Sequence, residues 1–89
     1  MSYSNQAALI TGASSGVGAA LAIKLAKLGV NVAVNYNSSQ IGAEAVVDRV
    51  IQEGVQGMAL QGDVSQDKDC RRMVSETIEK FGRLDLLIN

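Results

Sequence analysis

Seven short segments along the chain carry two kinds of apolar pattern. Ala7 to Thr11 is a continuous apolar run that enters a cluster of glycine and serine, as a strand buried on both faces does when it ends at a turn. Val17, Leu21, Leu25 and Leu28 then recur at steps of four and three. This spacing predicts a helix with one apolar stripe, ending at Gly29, a residue suited to the left-handed position after a helix. Val30 to Val34 is again continuous and predicts a second covered strand, followed by a polar turn from Asn35 to Ser39. Ala43, Val46, Val47, Val50 and Ile51 repeat with helical spacing as far as Gly54. Met58 to Leu60 is a third strand, broken at Gly62, and Ser65 stands where its hydroxyl would cap the next helix. That helix has the clearest stripe, Cys70, Met73, Val74, Thr77, Ile78 and Phe81, and stops at Gly82. Leu84 to Ile88 is a fourth apolar strand that runs into Asn89.

Strands that alternate with helices predict a parallel sheet with right-handed crossovers and helices on both faces. The expected fold class is α/β, a Rossmann-type doubly wound parallel sheet in a three-layer α/β/α arrangement with strand order 3-2-1-4. In that order strand four is an edge, yet Asp85 is its only charge, so it reads as built for a neighbour and the fold as truncated after it. Eighty-nine residues also fall short of the roughly 100 to 150 of a usual domain. Residues 1-89 are therefore expected to be the N-terminal half of a single domain whose C-terminal half is absent.

Composition narrows the function classes. The chain is 47% apolar and 19% charged, a balance that suits a packed core and argues against disorder. Eight basic and nine acidic residues give a formal charge of -1 without any basic stripe, so nucleic acid is not an expected partner. The single cysteine, Cys70, excludes an internal disulfide, favours a reducing cytoplasmic setting, and lies on the helix stripe, where it reads as packing. With no histidine and one cysteine, ordinary zinc-ligand sets and Ser-His or Cys-His pairs cannot be built from these residues. Met1 to Gln6 is short and polar, and no run approaches the roughly 18 apolar residues of a membrane span.

The candidate chemistry sits between strand one and helix one, in Thr11-Gly12-Ala13-Ser14-Ser15-Gly16-Val17-Gly18. Helix-terminal N–H groups and the helix dipole favour a phosphate there. Gly12 suits the tight turn, Gly16 lets the backbone approach a pyrophosphate, and Gly18 lets the helix lie close to the sheet, while Ser14 and Ser15 offer hydroxyl donors. A nucleoside-triphosphate loop would need Gly-Lys after four residues, but Val17 stands five positions after Gly12 and no lysine follows. The shorter Gly-x-Gly-x-x-Gly fingerprint would need glycine at position 14, which is serine.

Thr-Gly-x-x-x-Gly-x-Gly after a first strand resembles the cofactor motif of the short-chain dehydrogenase/reductase family. Gly62-Asp63-Val64-Ser65 resembles the Asp-Val pair of that family, which implies that the Asp63 carboxylate meets the adenine amino group and the Val64 backbone touches the ring. Phe81 to Asn89 resembles the approach to strand four, with Asn89 as the first residue of the family's Asn-Asn-Ala-Gly. Val34-Asn35-Tyr36 is similar to bacterial 3-oxoacyl-carrier-protein reductases and glucose dehydrogenases. The resemblance implies hydride transfer between nicotinamide and an alcohol or ketone of 3-oxoacyl thioester or sugar type, by a cytoplasmic homo-oligomer, commonly a tetramer. The catalytic Tyr, Lys and Ser of the family find no match, since neither Tyr3 nor Tyr36 has lysine four residues on, so no catalytic residue is assigned.

The cofactor contacts expected are Gly12, Ser14, Ser15, Gly16, Val17 and Gly18 at the phosphates, Tyr36, Asn37 and Ser38 at the ribose 2′ position, Asp63 and Val64 at adenine, and Asn89. An NAD enzyme usually holds the 2′-hydroxyl with an acid after strand two, and none stands between Val34 and Ser38. NADP(H) is therefore expected to be preferred, with NAD(H) possible. A non-catalytic dinucleotide-binding or interaction module of 89 residues is the alternative, supported by length alone.

Overall fold

A computed structural model describes residues 5–89, so Tyr3 lies outside the described residues. The elements run β1 (Ala7–Ile10), α1 (Gly16–Lys27), β2 (Asn31–Tyr36), α2 (Gln40–Gln52), β3 (Gly57–Gln61), α3 (Asp67–Phe81) and β4 (Leu86–Ile88). All strand pairs are parallel in the order β3-β2-β1-β4, with Leu9 of β1 opposite Ala33 on one side and Leu87 on the other. The expected α/β doubly wound architecture and its strand order are thus present.

The two-residue alternation of a strand divides the core into two layers. Ala8, Ile10, Val32 and Val34 face α1 and α2, where they meet Ala22, Ala26, Ala43, Val46 and Val50. Leu9, Ala33 and Leu60 face α3 and meet Met73. Because β1 is covered on both faces, all four of its residues are buried, which explains why its sequence is continuous rather than alternating.

Packing corrects several boundaries and stripes. Helix α1 buries Ala22 and Ala26 and half-buries Leu21 and Leu25, whereas Val17 is 87% exposed and Leu28 is exposed too. Methyl side chains at the contact line let the helix approach the sheet closely, and the larger residues flank it. In α2 Ile51 is exposed, and in α3 Ile78 is exposed while Met73 and Thr77 are buried. The Thr77 hydroxyl donates to the Met73 carbonyl oxygen at 2.7 Å, so its burial leaves no unpaired group. Strand β2 continues through Asn35 and Tyr36, where a turn was expected, and β4 begins at Leu86 rather than Leu84. Ser65 does not cap α3: the capping position is Gln66, and the Ser65 hydroxyl donates to Asp63 instead. The helices do end at Gly29, Gly54 and Gly82, all with positive φ.

At the start of the sheet Asp85 fixes the register of β4. Its backbone N–H donates to the Ala7 carbonyl, and its carboxylate accepts the Ala7 N–H, each at 2.9 Å. Arg83 lies on the same carboxylate at 2.7 Å. The Arg83 hydrogen bonds, with help from the Ala7 N–H, hold the Asp85 carboxyl below its ordinary value. A carboxyl depressed in the folded state contributes fully above the unfolded value of about 4, and that contribution is lost as the pH falls through the folded value. Asp63 is depressed as well, by Ser65, so the two groups share the acid slope. Asp85→Asn should therefore flatten, without abolishing, the fall in melting temperature between about pH 5 and about pH 2. Identical slopes for the two proteins would remove Asp85 from this role.

Candidate functional site

Four parallel strands end on one edge of the sheet, and the segments that follow them meet there. This is the crevice side of an open α/β sheet, where ligands of such folds bind. The loop from Thr11 to Ser15 leaves β1, the turn of Asn37 to Ser39 leaves β2, the turn from Gly62 to Gln66 leaves β3, and Asn89 follows β4.

The three glycines of the first loop differ in what surrounds them. Gly12 and Gly16 have φ of +60° and +62°, and a Cβ on either would stand in open space with nothing within 4 Å. Gly18 is helical, and a Cβ there would sit 2.9 Å from the Ala13 Cα and the Gly12 carbonyl oxygen. Helix α1 begins after Ser15 with no side-chain cap and no acid in its first turn, so its N-terminal N–H groups remain uncompensated by the helix itself. Ser14 is half-buried, and Ser15, Gly16 and Val17 are exposed at this helix start.

Asn35 ties this loop to the rest of the edge. Its side chain is 1% exposed. The Gly12 N–H donates to its Oδ1 at 3.0 Å and the Ala13 N–H to its backbone oxygen at 2.9 Å. Its Nδ2 donates toward the Leu60 and Gly62 carbonyls at 3.2 and 3.1 Å, with the Tyr36 carbonyl and Met73 Sδ also close. Sequence reasoning placed Asn35 in a turn and missed this role. The available signal was a polar amide directly after Val32-Ala33-Val34, at the last covered position of a strand.

The turn after β3 is equally ordered. Asp63 Oδ1 accepts the Ser65 N–H at 2.9 Å and the Ser65 hydroxyl at 2.7 Å, and these bonds keep the carboxyl below its ordinary value and ionised. Both bonds fall on one oxygen. The Asp63 N–H donates to Asp69 Oδ2 at 2.9 Å, a contact the sequence did not suggest. Val64 is exposed, and its carbonyl oxygen accepts the Cys70 thiol at 3.4 Å. Between them, β1 and β4 place Thr11 Oγ1 3.1 Å from Asn89 Oδ1 and 3.3 Å from the Ile88 carbonyl oxygen. Asn37 and Ser38 are exposed, with the Asn37 carbonyl held by Gln61 Nε2 at 3.1 Å, while Tyr36 packs partly into the α1 and α2 side of the core.

Cavities lie both beside this arrangement and away from it. One of about 110 Å³ lies under Thr11 and Asn89, lined also by Leu9, Cys70, Met73, Val74 and Leu87. A polar depression of about 350 Å³ is larger but lies at the opposite edge of the sheet, among Gly29, Asn31, Glu53 and Gln56, and includes none of the residues above. Size does not locate the site; the convergence of strand ends does.

Residues 6–89 match the profile of the family described as short chain dehydrogenase. The chain belongs to the short chain dehydrogenase family. It is 44% identical over 85 residues to a 3-oxoacyl-(acyl-carrier-protein) reductase of Staphylococcus epidermidis, covering 96% of this chain and 35% of that protein. An oxidoreductase of Methylorubrum extorquens is 50% identical over 82 residues, with 92% and 33% covered. Among solved structures, a short chain dehydrogenase from Burkholderia cenocepacia in complex with NADP superposes with a TM-score of 0.93 at 40% identity, covering 97% of this chain and 35% of that one. The chain thus spans about a third of the length of these relatives.

A second close approach in this member of the family was absent from the sequence reading. A Cβ on Gly42, in the first turn of α2, would stand 2.8 Å from the Ser14 carbonyl oxygen and 2.7 Å from Ser39 Oγ. Gly42 therefore lets α2 press on the glycine loop from the β2 side. Gly18→Ala and Gly42→Ala should each lower stability by about 1–3 kcal/mol, read as a lower urea midpoint at unchanged slope. A midpoint raised by the roughly 1 kcal/mol that alanine gains over glycine in a helix would mean for Gly42→Ala that α2 does not bear on the loop.

Proposed function

We propose that residues 1–89 form the cofactor-binding N-terminal half of a single domain in a longer oxidoreductase, which prefers NADP(H) and interconverts an alcohol and a ketone. The observation that carries this reading is the arrangement of the common strand edge: an uncapped helix start beside open glycine backbone at one end, and an ionised carboxylate with one engaged oxygen at the other, joined through Asn35. The residues fit a dinucleotide. The vacant Cβ positions of Gly12 and Gly16 leave room against the backbone, and the N–H groups of the first turn of α1 suit a pyrophosphate. Ser14, Ser15 and Val17 flank that position, and Gly18 keeps α1 against the loop.

In this reading Asp63 accepts a hydrogen bond from the adenine amino group through the oxygen that Ser65 does not engage, and the backbone at Val64 lies along the ring. Asn89, held beside Thr11, borders the nicotinamide side. When bound, the cofactor supplies or accepts a hydride at its nicotinamide ring, and these residues supply binding and orientation rather than proton transfer. The resemblance to a 3-oxoacyl-(acyl-carrier-protein) reductase favours a 3-oxoacyl thioester over a sugar as the substrate class. Assembly as a homo-oligomer, a tetramer, and a cytoplasmic setting accompany this reading. No helix among the described residues is long and apolar enough to cross a membrane.

Cofactor choice follows from the end of β2. Asn37 and Ser38 are exposed there, and the nearest acid, Glu44, lies within α2 with its carboxylate accepting Gln40 Nε2 at 3.2 Å. Without a carboxylate at Asn37, a 2′-phosphate meets no repulsion and finds amide and hydroxyl donors. Without a cation its advantage stays modest, about 1 to 2 kcal/mol or roughly ten- to thirty-fold in affinity.

Dissociation constants of the full-length protein for NADPH and NADH at one salt concentration test the reading. NADPH should bind more tightly, and Asn37→Asp should shift preference toward NADH. Tighter NADH binding by the wild type would overturn the preference. Gly16→Val should lose cofactor binding, at a cost to stability of about 1–2 kcal/mol for a side chain at positive φ. Asp63→Ala should weaken binding by about 1–3 kcal/mol. Undiminished affinity in both variants would overturn the site.

A further inference from the structure

We propose that Asn35 is a positioning residue that holds the phosphate end and the adenosine end of the cofactor site at a fixed separation, so that one buried carboxamide sets the affinity for the whole dinucleotide. This rests on the cofactor reading given above. Among the described residues Asn35 and Thr77 are the buried polar side chains, and Thr77 bonds only within its own helix. The side chain of Asn35 instead reaches past both neighbouring strands, to the N–H of Gly12 beyond β1 and to the carbonyl of Gly62 beyond β3. Both peptides lie outside the strand ladders, and each adjoins a segment assigned to one end of the cofactor.

The strand does not itself need an amide at this position. An apolar residue would continue the covered pattern of Val32 to Val34, but it would leave the Gly12 N–H and the Gly62 carbonyl without these partners. The bonding also has a direction. Oδ1 must face the Gly12 N–H and Nδ2 the carbonyls, because the flipped amide would set donor against donor and acceptor against acceptor. Met73 packs against both groups: its Sδ lies 3.1 Å from Asn35 Nδ2, and a Cβ added at Gly62 would stand 2.7 Å from the same sulfur, so the backbone there is free of a side chain where Met73 and Asn35 meet it. The two loops are thus braced against a single group. A dinucleotide that spans both gains affinity from a separation set before it binds.

The test uses the full-length protein with Asn35→Ala, the volume-filling and uncharged Asn35→Leu, which removes both the acceptor toward Gly12 and the donors toward Gly62, and Val50→Ala as a core change on the opposite helix layer. NADPH dissociation constants and kcat at saturating NADPH are measured well below each melting temperature, and hydrogen exchange at the Gly12 amide is followed without cofactor. Asn35→Ala should weaken NADPH about tenfold or more, leave kcat within about twofold, and speed Gly12 exchange. Asn35→Leu, which fills the buried site without a charge, should also weaken NADPH and speed Gly12 exchange, and it decides alone if the alanine variant does not fold. Val50→Ala should leave the dissociation constant unchanged. Wild-type affinity in either folded Asn35 variant, or an equal loss of affinity in Val50→Ala, overturns the proposal. A wild type that binds neither NADPH nor NADH overturns the cofactor reading itself and this proposal with it, whatever the Gly12 exchange shows.

Discussion

A parallel sheet delivers all of its strand ends to one edge, and the peptide groups just past that edge have no ladder to join. They need other partners, because an unpaired buried N–H or carbonyl costs about 1–3 kcal/mol. In this chain Asn35 supplies those partners for two loops at once, through Oδ1 to Gly12 and Nδ2 to Gly62. Thr11 does the same on the β4 side, with its N–H on the Ile88 carbonyl at 2.8 Å and its hydroxyl between Ile88 and Asn89. The surface proposed to meet a cofactor is therefore assembled from bonds that begin inside the sheet.

Close approach is the second requirement, and small residues meet it. Ala22 and Ala26 lie fully against the sheet on α1, while Gly18 and Gly42 let α1 and α2 bear on the first loop. Gly57 repeats the device lower in the same layer, where a Cβ would stand 3.0 Å from Val50 Cγ1. Interiors at crystal-like density leave no slack at such contacts, so the position of each loop follows from the seating of the helices. That is why a methyl group at Gly42, outside the loop, is expected to disturb it.

Element order and the glycine spacing were legible because they depend on local periodicity and on backbone freedom, which the sequence carries directly. The helix ends at Gly29, Gly54 and Gly82 were legible for the same reason. The α1 stripe was misread because periodicity weights large residues: Val17 and Leu28 fall on the period yet are exposed, while Ala22 and Ala26 make the contact. Asn35 was misread because asparagine favours turns by local bonding, whereas here its amide bonds across the sheet and extends the strand. Ser65 looked like a helix cap, but α3 starts one residue later, with Gln66 at the capping position, and Ser65 instead closes a turn on the Asp63 carboxylate. The errors at α1 and Asn35 arose where a tertiary partner outweighed a local preference. The roles of Gly42 and Asp69 depend wholly on such partners, and no pattern within a window of sequence signals them.

Charge gives the strand edge a direction. The first turn of α1 holds no acid, and its dipole favours an anion. The first turn of α3 holds Asp67 and Asp69, the former paired with Arg71 at 2.8 Å and the latter engaged with the Asp63 N–H. These carboxylates offset the dipole of α3, and the ionised Asp63 ahead of it adds a further negative charge. A phosphate is thus favoured at α1, where no acid offsets the dipole, and not at α3, while a group that donates hydrogen bonds, such as an adenine amino group, is favoured near Asp63. A dinucleotide carries its anionic pyrophosphate apart from its adenine. On the proposed reading, the orientation that sets pyrophosphate at α1 and adenine at Asp63 satisfies both ends, and the reversed orientation sets phosphate against the ionised Asp63.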